Sequence, residues 1–136
     1  MPLVGGGGAG NVAGGNPTGT GTSVNYIGDH CYGNSGFLGF TNAAEVTLLE
    51  FTTGNSYIDA ALVLMRNDQL SDDSRHKIYI DEQLVGSIPQ NSGGIQMGGQ
   101  PILYLFPSQS KIKITVVNVT GATELQGGVS MTGRVY

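Results

Sequence analysis

Tryptophan is absent from this chain, and cysteine occurs once. No apolar run approaches the roughly 20 residues that a membrane-spanning helix needs. The lone Cys31 excludes an internal disulfide framework. Charge is scarce as well, at 12% of the 136 residues against roughly 25% in ordinary soluble domains. Six residues are basic, the first of them Arg66, and the net charge is −4. So few scattered cations cannot make the Lys/Arg stripe that grips a phosphate backbone, nor the basic patch that holds an anionic membrane. Neither nucleic acid nor membrane is an expected partner. The beginning also lacks a basic segment followed by an apolar stretch of about 7–15 residues, so no secretion signal is read there and folding in a cytosol is expected. Without disulfides or an evident metal set, a small core rests on burial alone or on oligomerisation.

What the chain has in plenty is glycine, 23 residues in all and ten within residues 1–28. The opening MPLVGGGGAGNVAGGNPTGTGTS contains G-x-G-x-x-G at Gly5, Gly7 and Gly10. Dinucleotide binding needs a strand before that turn and a helix after it. Here four residues precede it and NVAGGNPTGTG follows, which cannot be helical. A Walker-type loop fails more simply, because the first lysine is Lys77. Residues 1–28 are therefore read as an extended Gly-rich arm, with too little apolar surface to offset its own ordering entropy. Leu3, Val4, Val12, Pro17, Val24 and Tyr26 are its candidate assembly pegs.

Residues 29–136 change to a two-residue period and are read as one domain. EVTLLEFTT puts Val46 and Leu48 on one face, then Leu49 and Phe51 on the other, which predicts a bulge near Leu48. SYIDAALVLMR carries Ile58, Ala60, Leu62 and Leu64 on one face. The polar NDQLSDDS after it suggests a hairpin with the next run, HKIYIDEQLVGSI, in which DEQ reads as a tight turn. ILYLF reads as a short strand buried on both sides, preceded by a Gly/Gln loop. In SKIKITVVNVT, Lys111 and Lys113 point outward like edge protection, with a phase shift at Val117. GGVSMTGRVY places Val129, Met131 and Val135 together. Short strands bounded by Gly, Pro, Asn and Ser predict an all-β fold, a small antiparallel β-sandwich of jelly-roll-like or Greek-key type.

Catalytic and ligand-binding chemistry does not assemble from these residues, and no enzyme, metal or cofactor is expected. Asp29, His30 and Cys31 are adjacent, but neighbours on an extended chain face opposite ways and cannot share a metal; Cys31 is expected in the core. Asp68, Asp72 and Asp73 lack the spacing and the distal Glu of a calcium loop. Tyr57, Tyr79 and Tyr104 read as half-buried strand tyrosines with wet hydroxyls rather than as a glycan platform.

LLEFTTGNSYI (Leu48–Ile58), SDDSRHKIYID (Ser71–Asp81) and the ending VSMTGRVY resemble the small β-sandwich virion structural proteins of tailed phages and large marine DNA viruses. These are capsid decoration (cement) or minor capsid proteins. The resemblance implies a protein made in the host cytoplasm and placed on the capsid exterior, without a cofactor. It implies contact with the major capsid protein and with copies of itself, a homotrimer first and a pentamer second. The arm would then lie on neighbouring subunits, since glycine lets backbones approach closely and unpaired backbone groups allow strand addition. The alternative expectation is a receptor- or glycan-binding head of a viral spike or fibre, with Ser71–Ser74 and Gln90–Gln100 forming its binding loops.

Overall fold

In the computed structural model, which describes residues 24–41, 44–67, 73–90, 101–119 and 124–136, the two-residue period becomes ten strands. No helix occurs among the described residues. In chain order the strands are β1 (Val24–Ile27), β2 (His30–Asn34), β3 (Leu38–Phe40), β4 (Val46–Thr52) and β5 (Ile58–Asn67). They continue with β6 (Ser74–Ile80), β7 (Gln83–Gln90), β8 (Pro101–Phe106), β9 (Lys111–Asn118) and β10 (Leu125–Val135). One sheet has the order β4-β9-β6-β7, and the other runs β1-β2-β10-β5-β8 with β3 also paired to β10. All these pairings are antiparallel. The sheets pack face to face as a sandwich, the architecture that the strand pattern predicts.

Alternation decides which side chains enter the core. Ile58, Ala60, Leu62 and Leu64 of β5 meet Ile112, Ile114 and Val116 of β9, Ile78 of β6, and Val129 and Met131 of β10 in one buried cluster. Each large aliphatic side chain so buried contributes roughly 1.5–3 kcal/mol. The bulge falls where the period breaks: Ile114 pairs with Leu49 and Thr115 with Thr47, so Leu48 is the extra residue. Leu48 and Leu49 are consequently both buried. The β6–β7 hairpin turns on Asp81 and Glu82, both at positive φ, as a two-residue turn matching the strand twist requires.

Strand β10 is the spine of the six-stranded sheet. Along one edge it pairs with β5 from Gln126 to Val135; along the other it pairs first with β3 and then with β2. The change of partner happens at Gly128–Val129. There Ser35 replaces a strand neighbour: its N–H donates to Val129 O at 3.0 Å, and its Oγ accepts from Val129 N at 2.8 Å. The same hydroxyl donates to Gly36 O at 2.7 Å, and Gly36 sits at φ +65°. A Cβ on Gly128 would collide with the Gly36 carbonyl oxygen, so only glycine lets the chain pass so close to β10.

Five expectations change. Strands β5 and β6 lie in different sheets, so NDQLSDDS is not a hairpin turn; their apolar faces meet across the core rather than along an edge. Lys111 and Lys113 sit on β9, an interior strand between β4 and β6, where they point to the outer face and guard no edge. The phase shift at Val117 is absent: β9 stays in register with β6 through Asn118, which turns inward. ILYLF is an edge strand, open on its outer face. Finally, Val24–Ile27 belong to the sandwich, with Val24 fully buried and Tyr26 packed on the core, so the arm read over residues 1–28 gives up its last residues to β1.

Replacing Ser35 by Ala removes the one group that satisfies the buried Val129 N–H, a loss of about 1–3 kcal/mol. Gly128→Ala is expected to cost more, because its new methyl meets backbone that cannot rotate away. Denaturant unfolding of both variants checks this; a Gly128→Ala protein as stable as the parent contradicts the close crossing.

Candidate interaction surfaces

Three regions gather chemistry or exposed area: the outer face of the four-stranded sheet, a cleft at one end of the sandwich, and the outer face and open side of the six-stranded sheet.

On the four-stranded sheet, Glu45 is the hub. Its carboxylate accepts hydrogen bonds from Tyr79 Oη at 2.7 Å and from Thr115 Oγ1, and Lys77 Nζ lies 3.7 Å away. Burial pushes the Glu45 carboxyl up, but these two hydrogen bonds with the Lys77 and Lys113 charges outweigh it and hold it below its ordinary value. Lys111 pairs with Glu50 at 3.1 Å, and Lys113 lies over the Tyr79 ring. Lys77 and Lys111 are each paired with a carboxylate, and Lys113 rests on a ring. These contacts stiffen the face.

The end cleft, about 610 Å³, lies between Tyr26, Gly28 and Asp29 on one side and Thr52, Gly54, Asn55 and Ser56 on the other, floored by Ile58 and Val135. Asp29 bridges His30 at 2.8 Å and Arg134 at 3.4 Å. Beside the cleft in sequence, Tyr57 and Tyr136 stack with centroids 5.0 Å apart.

The outer face of the six-stranded sheet is organised in cross-strand rows. One row runs Tyr32, Thr132, Ala61, Leu103; the next runs Ile27, His30, Arg134, Asp59, Leu105. The rows end on β8 in two large exposed apolar side chains, Leu103 at 74% and Leu105 at 61%. Tyr104, between them, turns inward and lies against Gly86 of β7, so β7 and β8 flank the same side of the sandwich. β7 slips its register against β6, where Ile78 pairs with Gly86 but Tyr79 with Leu84, so Val85 is the extra residue; Leu84 and Val85 stay exposed at 53% and 46%.

The candidate residues read from the sequence divide among these places. Leu3, Val4, Val12 and Pro17 lie outside the described residues, whereas Val24 and Tyr26 are parts of β1. His30 and Cys31 face opposite ways, as an extended chain demands: His30 is exposed and Cys31 is buried. Burial pushes the Cys31 thiol up to about 12, which removes its nucleophilicity at neutral pH. Asp68, Asp72 and most of the Gln90–Gln100 loop also lie outside the described residues. Among the described residues no three His, Cys, Asp or Glu side chains gather as a metal set. Tyr57 is exposed and Tyr79 serves the Glu45 network, while Tyr104 points inward.

Leu103 and Leu105 escaped the sequence reading because an unbroken apolar run looks buried on both faces. The overlooked signal was Pro101, since proline opens strands or sits on edges, where its missing N–H is not needed. Pro89 marks β7 in the same way. No protein-family profile matches the chain, and no curated protein is detectably similar to it.

His76 is also buried, and its Nε2–H donates across the core to Gly128 O at 3.2 Å. Burial, reinforced by the Arg66 charge and opposed by that hydrogen bond, pushes His76 down from 6.5 to about 4. Between these values the unfolded chain holds more proton than the folded one. The stability carried by neutral His76 is complete above about pH 6.5 and drains away as pH falls through 4, by about 3 kcal/mol in all. The stability difference between wild type and His76→Gln, measured by denaturant titration from pH 4 to 7.5, should therefore change with pH in that direction. A difference constant over this range contradicts a buried neutral imidazole.

Proposed function

We propose that this chain is a non-enzymatic virion structural protein, a capsid decoration or minor capsid component that associates with the major capsid protein and with copies of itself on the particle exterior. One observation carries the reading. Of the ten exposed large apolar side chains among the described residues, Ile27, Tyr32, Leu103 and Leu105 lie on the outer face of the six-stranded sheet and Leu84 and Val85 on β7 of the other sheet, while Lys77 and Lys111 of that sheet pair with Glu45 and Glu50. Apolar side chains spread across this face around the His30, Arg134 and Asp59 row suit a broad contact of low net charge, which is how a lattice component is held. The strand phrases that resemble virion proteins agree with this, and Leu3, Val4, Val12 and Pro17 are assigned as pegs of the preceding arm.

A second reading, a glycan-binding head, is favoured by the end cleft alone. Its apolar floor and its Asp29, Asn55 and Ser56 rim offer the mixture of contacts that a sugar ring uses.

The test is co-sedimentation of the full-length chain with shells assembled from the major capsid protein of the same genome. The expected result is saturable binding at a fixed ratio to capsid subunits, lost when residues 1–23 are removed. A chain that stays at the top of the gradient, yet binds a glycan array through Asn55, contradicts the structural reading in favour of the second one.

A further inference from the structure

We infer that the β7–β8 side of the sandwich is a self-association surface, where two copies of this chain pair edge to edge about a two-fold axis through β8. This deepens the assembly reading by naming one partner, and it stands without the capsid part of that reading.

Edge strands are ordinarily protected by shortness, charge, proline or cover. β1 is only four residues long, and β4 carries Glu50 with its Lys111 partner. β7 has Pro89 and a register slip that bends it. β8 is protected only at its first residue, Pro101; the remaining ILYLF is uncharged, and among the described residues no strand covers its outer edge.

Charge selects the occupant. The eight residues of β7 and the six of β8 contain no Asp, Glu, Lys or Arg. The nearest charges are Asp59, on the neighbouring strand, Glu82, in the β6–β7 turn, and Arg75 and Lys77 of β6, which pair with Pro89 and Ser87 of β7, Arg75 reaching Ser87 Oγ at 3.4 Å. A chain of net charge −4 is repelled by its copies over most of its surface, but this side brings two copies together without opposing like charges. A strongly charged partner would find only a few charges of both signs at the margin, and none on the two strands themselves.

Geometry selects the symmetry. β1 and β8 run in the same direction, because four antiparallel steps separate them, so a head-to-tail ring would join them by parallel pairing. A two-fold axis perpendicular to the sheet instead sets β8 antiparallel to its own copy, the better-bonded arrangement, and keeps both outer faces on one side. Leu103 then stands opposite Leu105 of the second copy, and Leu105 opposite its Leu103, four leucines in one cluster with Tyr104 facing Tyr104. The same axis brings Leu84 and Val85 of each β7 to the joint.

Light scattering of the full-length protein should give twice the chain mass of 14.1 kDa. The double variant Leu103→Lys, Leu105→Lys should give the single-chain mass with an unchanged circular dichroism spectrum, because both side chains point to solvent. Ile27→Lys, on the opposite edge, should keep the double mass. Hydrogen exchange gives an independent readout on the unaltered chain: alternate β8 amides should exchange slowly in the concentrated protein and quickly on dilution. A single-chain mass for the parent overturns the inference. So does a three- or five-copy assembly that survives the lysine pair, although that result would leave the capsid reading standing.

Discussion

The fold depends on how closely other chain segments approach β10. This strand has neighbours along both edges, and where one neighbour gives way to the next a serine hydroxyl and two glycines stand in for a ladder. Gly127 leaves room for the Phe40 ring, Gly128 for the Gly36 carbonyl, and Gly133 for Ile58 and Cys31. The His76 imidazole reaches across the core to the Gly128 carbonyl, so the two sheets are also tied at this point. The Ser35 hydroxyl and the Val129 and Gly36 backbone groups satisfy one another, and the desolvation cost of an unmade bond makes the crossing specific.

The consequence is a division of labour between faces. The inner faces of β10, β5 and β9 are filled by the core, which leaves the outer faces and the two sides to meet anything else. One face is locked by the Glu45 network, whose carboxylate is held by two hydroxyls and a lysine. The other face ends on leucines that nothing among the described residues covers. The sandwich thus sets a face of networked charges against one in which exposed Ile27, Tyr32, Leu103 and Leu105 flank the His30, Arg134 and Asp59 row.

Much of the fold was legible in the residues, and the exceptions have physical causes. Alternation in SYIDAALVLMR and GGVSMTGRVY identified inward faces because one side chain in two must enter the core. The doubled leucine announced its bulge, since two consecutive buried side chains cannot share a regular strand. Sheet membership was not legible. A polar stretch such as NDQLSDDS serves equally as a hairpin or as a passage between sheets, and which one it is depends on which strands already fill the edges. The outward lysines misled for the same reason, because solvent faces an interior strand of an outer face as fully as it faces an edge. The open leucines of β8 were hidden by hydrophobicity itself: a run that is apolar throughout carries no record of which face stays bare.

The close crossing on β10 should make this strand and its serine-held change of partner the last part of the sandwich to open, which amide hydrogen exchange on the full-length chain under native conditions measures. The account predicts that the Val129 amide, bonded to Ser35 Oγ, exchanges as slowly as the most protected amides of β5 and β9, at a rate set by global unfolding. Exchange of Val129 at the faster rate of the short strand β1 would show that the crossing opens locally and would contradict the claim.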